Sequence, residues 1–328
     1  MNQPVKVTVE KSTGILTLDR PKALNSLNDE MMTLITDALI AWKDDPAIEQ
    51  VVIRSDAKHF CAGGDVRTIR DQVLAEDFQP VDDFFAYEYN TNLMISEYPK
   101  PYIALMNGLT MGGGLGVSAH GSHRVITSDS WASMPEINIG FITDVGISHL
   151  FQHLPGHPSL ALGKFLGLTG YRLKAADMIE TGLATHHVES FDGLLEAIIE
   201  KGVSAIEEAA IAPSASPELP SLYDGIEAQF QGSWEEIEQN LHGDLKELVD
   251  KLTSQASPSA LVAATELFEA NSQLDLAGSL DNEGALGSFM RREPDFAEGV
   301  RAVLVDKDQD PHFAEAGPAE RYRAVLKR

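Results

Sequence analysis

Two carboxylates eight residues apart, Glu136 and Asp144, lie in the segment Met134-Pro135-Glu136-Ile137-Asn138-Ile139-Gly140-Phe141-Ile142-Thr143-Asp144-Val145-Gly146. Such groups can transfer protons or attack a carbonyl carbon. Upstream lie two glycine-rich stretches, Phe60-Cys61-Ala62-Gly63-Gly64-Asp65 and Asn107-Gly108-Leu109-Thr110-Met111-Gly112-Gly113-Gly114. Each follows an apolar run that reads as a buried strand: Val51-Val52-Ile53 in one case, Tyr102-Ile103-Ala104-Leu105-Met106 in the other. A glycine turn after a strand lets the backbone approach a ligand closely, because no Cβ stands in the way. It also leaves N–H groups free, as at the start of a helix. Two such turns could aim two N–H donors at one developing oxyanion.

The elements that must carry these residues alternate. Residues 5–10 and 14–18 read as a hairpin with Ser12-Thr13-Gly14 at its turn. A loop at 20–27 precedes a helix capped by Asn28 or Ser26, which runs to Trp42 and ends at Asp45-Pro46. A strand follows at 50–54, then a helix from about Asp65, a helix at 81–97, a strand at 102–106, a helix at 113–120 and a strand at 123–127. This alternation implies an α/β core. Beyond Gly146 the chain reads as mostly helical, over 191–211, 222–254 and 258–271. The stretch at 212–220 has the composition of a linker.

The 328 residues are enough for a large core, and 43% hydrophobic with 23% charged residues is ordinary for a soluble globular protein. No apolar run reaches the length of a membrane span, and Met1-Asn2-Gln3-Pro4-Val5-Lys6 lacks the regions of a signal peptide. One cysteine, Cys61, excludes an internal disulfide, and with it the reading is a cytoplasmic protein. The formal net charge of −25 argues against nucleic acid and anionic membrane surfaces as partners.

With its two glycine turns and its Pro135-Glu136 pair in this order, the chain resembles the crotonase (enoyl-CoA hydratase/isomerase) superfamily. The resemblance covers most of residues 12–190 and returns near the C-terminus. It implies a crotonase-like spiral of repeated ββα units with a helical C-terminal region. The expected division is a catalytic core at 1–200 and a helical region at 201–328 packing on it. It implies that the N–H groups of Gly64 and Gly113 form an oxyanion hole and that Glu136 is catalytic. Lys22, in Arg20-Pro21-Lys22-Ala23-Leu24-Asn25, falls in a loop that helps bind CoA, and Ala62 and Asp65 join it as substrate-binding residues.

Within the superfamily the pattern is closest to a subfamily that hydrolyses short branched 3-hydroxyacyl-CoA thioesters, as in valine catabolism. Asp144 matches that subfamily's second acid. Glu88, in Phe84-Phe85-Ala86-Tyr87-Glu88-Tyr89, matches a substrate-binding glutamate that would accept a hydrogen bond from a substrate hydroxyl. Arg301 and Lys307, in a C-terminal motif also resembling the subfamily, could supply positive charge for CoA phosphates. Hydratases of the superfamily carry a second glutamate two residues after the Gly-Gly-Gly run, where this chain has Gly116. Thr143 and Ile147-Ser148 depart from the subfamily pattern and bear on the acyl group.

Each residue has a plainer reading: tight turns for the glycines, a helix-start carboxylate for Glu136, a helix cap for Asp144, and an exposed helix position for Glu88. Other functions consistent with the pattern are enoyl-CoA hydration or isomerisation, and non-catalytic acyl-CoA binding. The implied partner is an acyl-CoA. No cofactor is implied, since CoA is part of the substrate, and homo-oligomerisation is left open. His149, His153 and His157 lack the pattern of a zinc site and no metal is expected, while Cys61 has no identifiable base.

Overall fold

The computed structural model describes residues 3–327; Met1 and Asn2, on which part of the N-terminal reading rests, and Arg328 lie outside them. The strands are, in chain order, β1 (Val5–Glu10), β2 (Thr13–Leu18), β3 (Gln50–Ser55), β4 (Tyr102–Met106), β5 (Leu109–Met111), β6 (His123–Ile126), β7 (Trp131–Ser133), β8 (Leu173–Lys174) and β9 (His186–His187). Six form one sheet in the order β1-β2-β3-β4-β6-β9, and β5, β7 and β8 form another. The hairpin β1–β2 is antiparallel, whereas β2, β3, β4, β6 and β9 pair in parallel. Parallel strands are covered on both faces, and this is why β4 is an uninterrupted apolar run and β3 carries Val51-Val52-Ile53 at its centre.

Two compact units interleave along the chain. The first comprises the described residues of Met1–Gly64, with Asn90–Ala132 and Arg172–Glu218; the second comprises Asp65–Tyr89, Ser133–Tyr171 and the described residues of Leu219–Arg328. The units therefore do not follow a single cut near residue 200. The first is built on the sheet, with a core that includes Ile15, Val52, Ile103, Val125, Val188 and Ile198. Its helix Asp29–Lys43 starts at Asn28, whose side chain accepts the Met31 N–H, and buries Met31, Ile35, Leu39 and Trp42. The second is helical, with buried faces on Leu160–Thr169, Pro258–Asn271 and Leu276–Arg291.

The α/β class expected from the alternation is observed, and most boundaries fall within two or three residues. The larger differences have local causes. The helix expected at 113–120 is only Gly113–Gly116, in a run rich in glycine. The segment 191–211 is two helices, Leu194–Lys201 and Ser204–Ala209, separated at Gly202 with φ 71°. The segment 222–254 is three helices, with Gly232 at positive φ between the first two and Gly243, also at positive φ, opening the third. Helix Pro258–Asn271 matches its expected bounds because both start signals are local: Ser257 caps the Ala260 N–H, and proline occupies the first turn.

Candidate active site

In the first unit the two glycine turns lie side by side. Cys61 bridges Thr110, with the Cys61 N–H donating to Leu109 O at 3.3 Å and the Met111 N–H to Cys61 O at 3.0 Å. A Cβ on Gly63, which has φ 106°, would stand 3.3 Å from Met111 O and 3.7 Å from Gly113 N, so only glycine permits this approach. Gly113 opens helix Gly113–Gly116, where the first N–H groups have no intrahelical acceptor. Among the described residues, neither the Gly64 nor the Gly113 N–H donates to a protein acceptor. A Cβ at Gly64 would meet nothing within 4 Å, which marks open space beside that N–H. Gly116, where a hydratase would need its second acid, is a buried glycine in the same short helix.

Cys61 belongs to the framework of these turns. Its Sγ–H donates to Asn25 O at 3.1 Å, and a Cβ on Gly114 would come within 2.8 Å of the Cys61 Cβ. Ala62 is tied by its N–H to Leu24 O at 3.0 Å, and Lys22 is exposed in the turn Pro21–Ala23.

The carboxyl groups gather in the second unit. Helix Phe78–Ser96 carries Glu88 and Tyr89; the single helical turn Glu136–Ile139 carries Glu136 at its start; Asp144 follows on the loop. Asp65, which precedes helix Val66–Leu74, falls in this unit too. Glu88 and Asp144 are 2% and 4% exposed, so the plainer reading of Glu88 as a surface residue is set aside. The Tyr89 hydroxyl donates to Asp144 Oδ2 at 2.7 Å. Asp144 does not cap the following helix: Ile147–Leu150 has Gly146 at its cap position, and Asp144 contributes only its backbone carbonyl, to the Ile147 N–H. Glu136 is half-buried as a residue, yet its Oε2 is buried and has no partner among the described residues, and the same holds for Glu88 Oε1. Unpartnered buried oxygens of this kind are uncommon and mark a place where a ligand or water completes the bonding.

Electrostatics separates these acids. Burial raises all of them, because the charged form loses its water. Glu88 is pushed up to about 8, with the nearby Asp144 charge adding to burial. Glu136 is raised well above the usual carboxylate range, first by burial and then by Asp144. Asp144 rises only to about 6, because burial is opposed by the Tyr89 hydroxyl and by the Arg291 guanidinium. Asp144 is therefore readier to ionise than Glu88, and burial favours the protonated form of Glu136.

Two residues of helix Leu276–Arg291, neither of them marked by any local sequence signal, complete the cluster. Arg291 is 1% exposed, bonded through Nη2 to Asp82 at 2.8 Å and stacked over Phe85 at 3.9 Å from the ring centre. Its Nε and Nη1 have no hydrogen-bond partner among the described residues. Glu283 is fully buried, and burial pushes it up to about 8 against the Ser148 and Gly146 donors. Both are charged residues on a helix that the sequence reading did not identify, and tertiary packing makes them internal.

In the C-terminal motif Lys307 is exposed, but Arg301 is not the free positive charge that its sequence suggests. The Arg301 guanidinium binds the carboxylates of Glu298, Asp306 and Asp308 and the Asp310 carbonyl. The motif instead packs against the Glu136 turn: a Cβ on Gly299 would lie 2.5 Å from the Ile139 backbone, and one on Gly140 would lie 2.4 Å from the Asp295 backbone. The histidines engage in packing, with His149 stacked on His153 and His157 stacked on Tyr223 beside Glu227.

The family model for enoyl-CoA hydratase/isomerase matches residues 13–327. The mitochondrial 3-hydroxyisobutyryl-CoA hydrolase of Xenopus tropicalis is 39% identical over 317 residues, covering 90% of this chain and 80% of the relative. The human protein of the same name is 38% identical over 335 residues, covering 95% and 84%. A solved structure described as an enoyl-CoA hydratase from Rhodobacter sphaeroides 2.4.1 superposes with a TM-score of 0.89 at 34% identity, covering 98% of this chain and 97% of that one. Another, described as a carnitinyl-CoA dehydratase from Mycobacterium thermoresistibile, also gives 0.89 at 34%, covering 100% and 97%. These names correct the cytoplasmic expectation, since the curated relatives are called mitochondrial. A single cysteine excludes a disulfide but does not separate one reducing compartment from another. No helix of the described residues is long and apolar enough to cross a membrane. A match across nearly the whole chain, with relatives at this identity, makes the chain a member of the enoyl-CoA hydratase/isomerase family.

Proposed function

We propose that this chain hydrolyses a short, branched 3-hydroxyacyl-CoA thioester, of the 3-hydroxyisobutyryl-CoA kind, to the free acid and CoA, a step of valine catabolism. The observation that carries the reading is the buried Glu136 carboxyl with an unpartnered oxygen, accompanied by Asp144, while Gly116 leaves the hydratase position without an acid. In this reading the Gly64 and Gly113 N–H groups stabilise the oxyanion formed at the thioester carbonyl. Glu136 attacks the thioester carbon or activates the water that does. Burial favours the protonated Glu136 carboxyl, so a proton has to leave before it acts, and the neighbouring Asp144 is the group assigned to take it. Glu88 takes a role inverted from the sequence expectation: holding its proton up to about 8, it donates a hydrogen bond to the substrate's oxygen. Lys22, Ala62 and Asp65 are assigned to the CoA and acyl portions. The reaction needs no cofactor, because CoA enters as part of the substrate.

Hydration of an enoyl-CoA is the second reading, favoured by the titles of the two solved relatives. One preparation assayed for both reactions decides between them. Free thiol should appear rapidly from 3-hydroxyisobutyryl-CoA, with loss of crotonyl-CoA absorbance slower by orders of magnitude. Rapid hydration without thiol release from any hydroxyacyl thioester would overturn the assignment.

A further inference from the structure

The loop that presents Asp144 is strained. Val145 has φ 53° and Gly146 φ 77°, two successive residues in the left-handed region. For a β-branched residue this backbone is an outlier, and it persists only where the surroundings over-determine it. Both oxygens of one buried carboxyl engage this loop: Glu283 Oε2 accepts the Gly146 N–H at 2.7 Å, and Oε1 accepts the Ser148 hydroxyl at 2.5 Å. The bonding continues from there without a gap. Asn271 Nδ2 donates to Ser148 Oγ at 2.8 Å, and Asn282 Nδ2 donates to Asn271 Oδ1 at 2.8 Å. Asn282 Oδ1 then accepts the Lys327 N–H at 2.7 Å, and Asn282 Nδ2 also reaches Lys327 O at 3.0 Å. Ser148, Asn271, Asn282 and Glu283 are all fully buried. A satisfied buried network of this kind fixes one arrangement at little net gain in stability over an apolar core.

We propose that Glu283 is a positioning residue for Asp144, clamping the strained Val145-Gly146 turn and tying it through Ser148, Asn271 and Asn282 to the chain's last described residue, Lys327. The proposal rests on Asp144 acting in thioester hydrolysis. Glu283 does not meet the substrate; it acts by fixing where the Asp144 carboxyl points relative to the Tyr89 hydroxyl.

The test compares Glu283→Leu, which removes both acceptors, with Glu283→Gln, which keeps an oxygen for the Gly146 N–H and stands closest to the neutral acid. The leucine variant should lose about tenfold or more in kcat for CoA release from 3-hydroxyisobutyryl-CoA, with KM within about threefold of the parent. The glutamine variant should recover most of that rate. In an Asp144→Asn background, Glu283→Leu should cost little more, because the two changes act through one group. Hydrogen exchange on the same proteins should show the Gly146 amide protected in the parent and the glutamine variant, and exposed in the leucine variant. Unchanged kcat in the leucine variant, or losses that simply add to those of Asp144→Asn, would reduce Glu283 to a structural residue and overturn the proposal. A parent protein that releases no CoA would instead sink the hydrolase reading. Exchange then decides the clamp alone, and Gly146 protection surviving in the leucine variant would disprove it. Should that variant fail to fold, Ser148→Ala removes one of the two loop contacts, and the same comparisons apply with a smaller expected loss.

Discussion

Glu136 and Asp144 differ by the company each keeps, and this is the basis for two expected outcomes. Replacing Glu136 by Gln keeps the shape and removes the ionisable group. It should abolish CoA release while acyl-CoA binding, followed by calorimetry, persists; near-parental turnover in the folded variant would remove Glu136 from the mechanism. Tyr89→Phe deletes the hydroxyl that favours the charged form of Asp144. A hydrogen bond to a charged group contributes about 1.5–3 kcal/mol, so the Asp144 carboxyl should titrate at least about one pH unit higher. The direction follows: activity that needs ionised Asp144 is lost as pH falls through its pKa, so the acidic limb of kcat/KM should move upward. Activity near pH 6 then suffers more than activity near pH 8. A limb that stays in place would exclude the hydroxyl as a determinant. Glu136, Asp144, Gly64 and Gly113 could be singled out as candidates because their order along the chain carries the family pattern. Tyr89, Glu283 and Arg291 were not, since a carboxylate and its partner 55 or 137 residues apart leave no local mark.

Helix Pro294–Val300 and the turn Glu136–Ile139 meet backbone to backbone, and the glycines on each side allow it. Ser257 N–H to Ile137 O at 3.0 Å and Ser257 Oγ to Asp295 Oδ2 at 2.6 Å close the same junction. Gly299→Ala would place a methyl 2.5 Å from the Ile139 backbone, a contact that a rotamer change cannot relieve. Overpacking of this kind costs about 1–3 kcal/mol, so thermal melting should fall, and kcat should fall with it because the displaced turn begins at Glu136. A variant with lowered melting but parental kcat would show that the turn absorbs the shift without moving its carboxyl. The sequence made the motif around Phe296–Pro311 conspicuous but suggested phosphate binding, because Arg301 and Lys307 look available in one dimension. Three carboxylates converge on Arg301 in space. Element types were largely legible, since caps, glycine breaks and apolar runs are local signals. The lengths of the glycine-bearing helices were not.

The buried carboxyls also make the protein's stability depend on pH. Glu88 and Glu283 hold their protons up to about 8 when folded, against a usual 4.5. A carboxyl whose folded pKa is raised stabilises the fold fully below the unfolded value and loses that contribution as pH climbs to the folded one. Melting temperature should therefore decline as pH rises from about 4.5 to about 8. Asp144, raised to about 6, adds to the lower part of that window. Replacing Glu88 and Glu283 together by Gln should flatten the decline. A parent protein whose melting is flat over this interval would mean that these protons are not retained. Added salt separates this effect from the repulsion of a chain with net charge −25, because salt screens surface charge and leaves the buried carboxyls largely untouched. The interleaving of the two units has a further consequence, in the timing of biosynthesis. Gly146 is made 137 residues before the Glu283 that holds it. At a synthesis rate of roughly 5–20 residues per second, the Asp144 loop waits on the order of ten seconds for its clamp. Until the helix carrying Glu283 leaves the ribosome, the nascent chain holds the Asp144 loop without the two hydrogen bonds that fasten it at Gly146 and Ser148.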